Sequence, residues 1–502
     1  MRRFVLLCVV SVVCCAQAVS LVPQPRKLVE KGGVTTNAAV RYVTDAAIPA
    51  EGYRLSVTPE GTVVSASDEA GRFYAGVTRD QLRIPGGGRE PDAWPCVEIE
   101  DSPAYRWRGL LVDEGRHFFG KDVIRRVIDR MALHKLNRLH WHLTEDQGWR
   151  LDVPGYPELV RYGAVRSASP RHGVLTKGWL PLADNLQYLN DERYGPYFYT
   201  EKDVREIVAY AAAHHVVIVP EIELPGHVYA ALAAYPRFAC NPENLKSRDP
   251  RVFWGIEKDV LCLGNDEALK FFEDVLDYVC RIFPGDVVHI GGDECPQERW
   301  RACPKCQARI RAEGLKDEKG LQPWVTQRFV RFLEQRGKRV IGWDEYLLGD
   351  VPKSAIGMSW REDSKHGAGH ELVSGAAAAL RGHDVVMTPK SFCYLDYGQG
   401  LKDDPFLYGG GRVTLADCHR FDPCAGVPGA ARAHVLGGQG NCWSEYTWNI
   451  FDLDWKTWPR ACALAEALWL GADKPGFDDF LARMRAHRRR LVAAGVNCAN
   501  VD

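Results

Sequence analysis

Val287-Val288-His289-Ile290-Gly291-Gly292-Asp293-Glu294 reads as a short apolar strand that runs directly into two glycines and two adjacent carboxylates. Branched residues favour extended backbone inside a covered parallel sheet, and the glycines permit a tight exit with close approach by another backbone or a ligand. The two acids then stand at the strand's C-terminal end. Neighbouring carboxyls repel, so their pKa values separate, which is how one stays protonated as a general acid while the other stays ionised. An arbitrary Asp-Glu dipeptide is a solvated loop pair. Its position after a buried strand sets this one apart.

The same arrangement recurs outward from that stretch. Apolar runs at 109–112, 138–143, 216–222, 287–290, 339–342, 355–359, 384–388 and 434–438 alternate with amphipathic segments at 121–135, 201–214, 266–282, 323–336, 370–380 and 458–469. Strands alternating with helices signal βα units around a parallel core, and eight of them predict an α/β fold of the (β/α)₈ barrel type over residues 104–502. Each run ends in polar or aromatic residues: Asp113, Arg116 and His117; Glu145 and Asp146; Glu223 and His227; Asp293 and Glu294. The later exits carry Trp343-Asp344-Glu345, Trp360-Arg361-Glu362, Tyr394 with Asp396, and Trp443 with Glu445. Barrel enzymes build their sites at the C-terminal ends of the strands, so these residues are expected to share one pocket.

Ahead of the barrel, residues 19–103 read as a small α/β domain, with strands at 53–57 and 62–65 around Pro59-Glu60-Gly61 and a helix over 69–82. Pro85-Gly86-Gly87-Gly88 with Pro91 suggests a break before the next domain. Residues 1–18 read as an export signal, with Arg2 and Arg3, an apolar run over 4–15 and an Ala16-Gln17-Ala18 cleavage pattern. The mature chain then begins at Val19, in the periplasm or outside the cell. The run is short of the ~20 apolar residues that cross a bilayer, so no transmembrane segment is expected.

The 64 Lys and Arg against 65 Asp and Glu leave no field to draw the chain to nucleic acid or an anionic membrane, which suits a neutral substrate. No oligomeric state is predicted. Three of the 16 cysteines fall in the signal, and the remaining thirteen are an odd number. Cys295, Cys303 and Cys306 follow the acid pair and invite a zinc reading. A closed site wants four ligands and no local fourth is visible, so buried thiols or a disulfide are expected instead.

Trp343, Trp360, Trp443 and Tyr394 come from different strand ends and converge on the barrel mouth, as rings that stack on sugar faces and acetamido methyls do. Any one alone reads as packing, as Trp448 and Trp458 do. Arg116 offers a planar fork for vicinal hydroxyls or a carboxylate, with a salt bridge to Asp113 or Glu445 as its plain reading. A rival metal-dependent hydrolase draws on His140, His142, His227 and His289, but leaves the aromatic set unexplained.

The stretches RGLLVDEGRHFF at 108–119, LHWHLTEDQGWR at 139–150, VPEIELPGH at 219–227 and HIGGDE at 289–294, with IGWDE, MSWRE, YLDY and GGQGNCWSEY, resemble glycoside hydrolase family 20, the β-N-acetylhexosaminidases. Where that family commonly carries two aspartates after the second strand, this chain has Glu145 and Asp146. The resemblance implies an exo-acting retaining enzyme in which the substrate's own acetamido group is the nucleophile and an oxazolinium ion the intermediate. It implies Glu294 as general acid and base, Asp293 as the partner of the acetamido N–H, and Tyr394 as donor to the acetamido oxygen. Trp343, Trp360 and Trp443 would enclose the methyl, Arg116, Asp396 and Glu445 would hold ring hydroxyls, and His227 and Glu145 would stand behind the acid. Substrates would be glycans ending in β-linked N-acetylglucosamine or N-acetylgalactosamine, without cofactor or catalytic metal; a disaccharide-releasing specificity is the alternative within the family.

Overall fold

The computed structural model describes residues 19–87, 90–172, 187, 189–190, 192–347, 349–362, 374–402, 404 and 410–501. The signal reading at 1–18, and residues 370–373 of one expected helix, lie outside them. Strands β1 (Lys27–Thr35), β2 (Val40–Thr44), β3 (Tyr53–Thr58), β4 (Gly61–Ala66) and β5 (Trp94–Asp101) form one sheet in the order β1-β5-β3-β4-β2, covered by helix α1 (Glu69–Leu82). Tyr53, Leu55, Val57, Val64, Tyr74 and Ile99 pack its core. Asp68 caps α1, its carboxylate accepting from the Gly71 N–H.

The expected break at 85–91, of which residues 88 and 89 lie outside the described residues, falls before the last strand of this sheet rather than beyond it, because β5 returns to pair antiparallel with both β1 and β3. Sequence pattern missed β1 for a physical reason: eight of its nine residues are partly or fully exposed, so it carries no apolar alternation.

Strands β6 (Trp107–Asp113), β7 (Arg138–His142), β8 (Val217–Glu221), β9 (Val287–His289), β10 (Arg339–Trp343), β11 (Ile356–Ser359), β12 (Val385–Met387) and β13 (Val435–Cys442) close a barrel whose neighbouring strands are all parallel. All eight expected runs are strands of it. The surrounding helices include α2 (Lys121–Leu133), α3 (Glu201–Ala213), α4 (Asp266–Ile282), α5 (Leu321–Glu334) and α6 (Gly375–Leu380). The expected 458–469 helix is α8 (Arg460–Leu470), preceded by α7 (Ile450–Thr457), with Trp458 and Pro459 between them. Helix α9 (Phe477–Ala493) was hidden by its Arg-rich sequence.

Side chains fill the barrel's interior. Trp107, Leu111, Val219, Val287, Ile341, Trp343, Ile356, Met358, Val386 and Leu436 form one buried cluster, against which Trp360 and Trp443 pack. The barrel is therefore a solid plug with a chemically active top, as the class demands.

Asp101, at the end of β5, ties the small sheet to the barrel. Its Oδ2 accepts from Lys135 Nζ at 2.9 Å and from Tyr53 Oη at 2.7 Å, and its Oδ1 accepts from Trp469 Nε1 at 2.8 Å. Lys135 is 1% exposed, and burial draws its ammonium below its usual pKa while Asp101 opposes that pull. Asp101→Ala strands this cation, and breaking a buried pair from one side costs about 3–5 kcal/mol. The expected outcome is a matching loss of unfolding free energy in urea; a loss below about 1 kcal/mol would show that the pair carries no weight.

Candidate active site

The loop leaving β9 is shaped by backbone that few residues adopt. Gly291 has φ +62°, and a Cβ there would lie 1.7 Å from Glu223 Oε2, so only glycine fits. Glu294 itself has φ +45° and His227, on the loop after β8, has φ +50°. Such conformations cost about 1–3 kcal/mol each and persist where the surroundings over-determine them. The acid and the imidazole beside it are both held this way.

Residues from separate strand exits line one cavity of about 330 Å³: Arg116 after β6, Asp293 and Glu294 after β9, Trp343 ending β10, Trp360 after β11, Tyr394 and Asp396 after β12, and Trp443 and Glu445 after β13. All nine expected substrate-facing residues therefore meet. The rings of Trp343 and Trp443 lie 5.6 Å apart, Tyr394 and Trp443 6.4 Å, and Trp360 stacks on Tyr394 at 6.2 Å. Trp343 Nε1 donates to Glu221 at 2.9 Å and Trp360 Nε1 to Glu345 at 3.2 Å, which fixes both indoles. Arg116 lies over the Trp443 ring at 5.1 Å and pairs with Asp113 at 3.3 Å and Glu145 at 3.1 Å. Its contact partners are thus Asp113, as expected, and Glu145.

His227 and Glu145 stand behind the acids. His227 Nδ1 lies 2.8 Å from Glu145 and 3.3 Å from Asp146, while its Nε2 lies 3.6 Å from Glu294 and 3.9 Å from Asp293. Burial alone would depress this imidazole, but Glu145, Asp146 and Glu294 together raise its pKa well above the usual value.

The carboxyl pair separates as the sequence predicts, but in the opposite order. Burial pushes Asp293 up to about 7, with Glu294, Glu221 and Glu145 adding to the rise and His227 opposing it. Burial also acts on Glu294, yet the nearby imidazole of His227, aided by Arg116 and Arg361, holds it below its usual value. The reason is placement: Asp293 is the deeper of the two, with 15% of its side chain exposed against 37%, and Glu294 is closer to the imidazole. Asp293 Oδ1 and Asp396 Oδ1 are buried without a hydrogen-bond partner. Burial and the Glu445 charge raise Asp396 to about 8. Tyr394, raised well above its usual value by burial and then by Asp396, keeps its proton.

The four histidines of the metal reading fall into separate groups. His140 and His289 share Glu221, at 2.9 and 2.7 Å; His142 bonds Asp113 at 2.9 Å and approaches Glu223 at 3.3 Å; His227 belongs to the acids. Glu221 thereby orders the floor beneath Trp343. Sequence reading missed Trp254, Tyr397 and Tyr446, which also line the cavity. Trp254 sits in a long loop with no periodicity, and a lone aromatic there gave no signal.

Comparison with known proteins agrees with this geometry. The model of the glycosyl hydrolase family 20 catalytic domain matches residues 105–472, and that of the family's domain 2 matches residues 18–102. A β-hexosaminidase of Porphyromonas gingivalis is 40% identical over 93% of this chain, which spans 57% of that relative's length. One from Akkermansia muciniphila is 33% identical over 94% of this chain and 90% of its own. Among solved structures, a family 20 exo β-N-acetylglucosaminidase of Vibrio harveyi in complex with N-acetylglucosamine superposes with a TM-score of 0.84 at 26% identity, covering 97% of this chain and 79% of that one. A β-N-acetylhexosaminidase of Bacteroides fragilis gives 0.78 at 29% identity, over 96% and 97%. With both of its domains matched in order and its carboxylate pair set in the barrel mouth, the chain belongs to glycosyl hydrolase family 20.

Proposed function

We propose that the chain is an exo-acting β-N-acetylhexosaminidase that releases terminal β-linked N-acetylhexosamine by substrate-assisted, retaining hydrolysis. One observation carries the reading. Asp293, whose Oδ1 has no hydrogen-bond partner, lines one cavity together with Trp343, Trp360, Trp443 and the protonated phenol of Tyr394. An acetamido group supplies what each lacks: an N–H for Asp293, a carbonyl oxygen for Tyr394 and a methyl for the indoles. Most retaining glycosidases use a second carboxylate as nucleophile, whereas families with substrate assistance use the sugar's amide.

Pinning that amide against its own anomeric carbon makes the attack intramolecular, an advantage of roughly 7–11 kcal/mol in well-oriented models. Asp293 and Glu294 then exchange roles as the sugar binds. The acetamido N–H favours the ionised form of Asp293, and exclusion of water by the ring raises Glu294, the donor to the leaving oxygen. The proton needed by Glu294 is close by, on Asp293 and on His227 Nε2. Arg116, Asp396 and Glu445 hold ring hydroxyls, and Glu145 anchors His227. Relatives described as β-hexosaminidases support the substrate class.

An aryl β-N-acetylglucosaminide is expected to be cleaved while the matching aryl β-glucoside is not, and Glu294→Gln is expected to lower turnover of a substrate with a poor leaving group by ~10²–10⁴-fold. Comparable rates on the two aryl glycosides, in a steady-state assay, would remove the acetamido mechanism.

The raised Asp293 has a second consequence. Because its folded pKa of about 7 stands above the ordinary 3.8, ionising it destabilises the fold as pH rises between those values, and the penalty is complete above them. Asp293→Asn, always neutral, should raise the thermal midpoint at pH 8 while turnover collapses, and should abolish the acid limb of kcat/KM. A lower midpoint at pH 8 contradicts the assignment.

We further propose that the chain is exported, on the strength of Arg2, Arg3, the apolar run and Ala16-Gln17-Ala18. N-terminal sequencing of the protein from its native host should begin at Val19; a retained Met1 in a cytosolic fraction refutes it.

A further inference from the structure

Thiols far apart in sequence meet beside the catalytic loops. Cys240 and Cys262 flank an antiparallel bridge between Ala239 and Leu261, with the Cys262 N–H donating to Phe238 O at 2.9 Å. Cys303 precedes the short helix Pro304–Ala312 and Cys306 lies in its first turn. The sulfurs of Cys240 and Cys306 are 3.7 Å apart, those of Cys262 and Cys303 3.7 Å, and those of Cys262 and Cys306 3.8 Å, and all four lie within 4.8 Å of one another. The local trio of Cys295, Cys303 and Cys306 is thus not the cluster. Its missing members come from the preceding βα loop, which sequence spacing could not show.

We propose that these four cysteines form a structural zinc site. With Zn–S bonds of about 2.3 Å, tetrahedral geometry places sulfurs about 3.8 Å apart, which matches three of the six pairs, the other three lying within 4.8 Å. A disulfide needs about 2.05 Å, so the arrangement is not a pair of loosely drawn bridges. Gly264 supplies an independent sign of a knuckle. A Cβ there would lie 2.1 Å from the Lys305 carbonyl carbon and 2.4 Å from the Cys306 N, so the chain is stripped to glycine where the Cys-X-X-Cys backbone packs against it. Cys262, Cys303 and Cys306 are at most 5% exposed, and four protein ligands leave no open position for a water or substrate, so the ion would be structural. Binding displaces the thiol protons to solvent, and Zn²⁺ is neither oxidised nor reduced. The ion would clamp the loop carrying His227 to the loop carrying Asp293 and Glu294, setting the spacing on which the acids depend. Thiolates held by zinc would also be withheld from disulfide formation.

The test uses the full chain, purified without a metal-binding tag and passed through metal-free gel filtration. Elemental analysis should find about one zinc per chain, released in step with about four thiols on mercurial titration. Cys262→Ser and Cys306→Ser should lower zinc content about tenfold or more, whereas Cys280→Ser, on α4, should retain it. Stripping with a chelator should lower the thermal midpoint of the wild-type chain and leave the chelated Cys262→Ser protein unchanged. If the variants fail to fold, the wild-type measurement decides alone. Zinc below about a tenth of an equivalent, stoichiometric iron in its place, or a disulfide found among these four by peptide mass overturns the proposal.

Discussion

The contacts of one imidazole, His227, hold the acids of the site together. His227 is wedged between Glu145 and Asp146 on one side and Asp293 and Glu294 on the other, with every separation below 4 Å. Without that imidazole, four carboxylates would crowd one buried corner, and Coulomb repulsion at low dielectric would force protons onto several of them. With it, the pKa of Glu294 is held down while burial keeps that of Asp293 up. Glu145 is longer by one methylene than the aspartate common in the family, yet it reaches His227 and Arg116 together, joining strand exits that are distant in sequence.

Strain and burial serve the same arrangement. The left-handed backbone at Glu294 and His227 aims both side chains inward, and Gly291 clears the space that Glu223 occupies. Below them Glu221 contacts His140, His289 and Trp343 at once, so the indole floor is fixed by a buried polar hub instead of by packing alone. A floor that does not yield suits the proposed mechanism, which depends on how closely an amide is pressed to a carbon.

Much of this was legible in the sequence. Covered parallel strands keep long apolar runs, so all eight barrel strands stood out, and strand ends bearing Arg116, Asp293, Trp343 or Glu445 announced where the chemistry lies. What stayed hidden depends on three-dimensional context. The exposed β1 has no alternation, Trp254 sits on an irregular loop, and the Cys240–Cys262 half of the thiol cluster lies far from the Cys303–Cys306 half. The order of the two carboxyl pKa values was equally invisible, because it follows from depth and from distance to His227, which adjacency in sequence does not encode.

The unpartnered oxygens of Asp293 and Asp396 carry an implication for the whole chain. A sugar that occupies the cavity beside these two aspartates lowers the native state without touching the denatured one. Because its walls come from strand exits all around the barrel, that gain is shared by the entire cooperative unit, growing as RT ln(1 + [L]/Kd). Occupancy is therefore a folding variable: where a ligand of this cavity is plentiful the protein resists heat and proteolysis, and where it runs out it becomes the more perishable molecule.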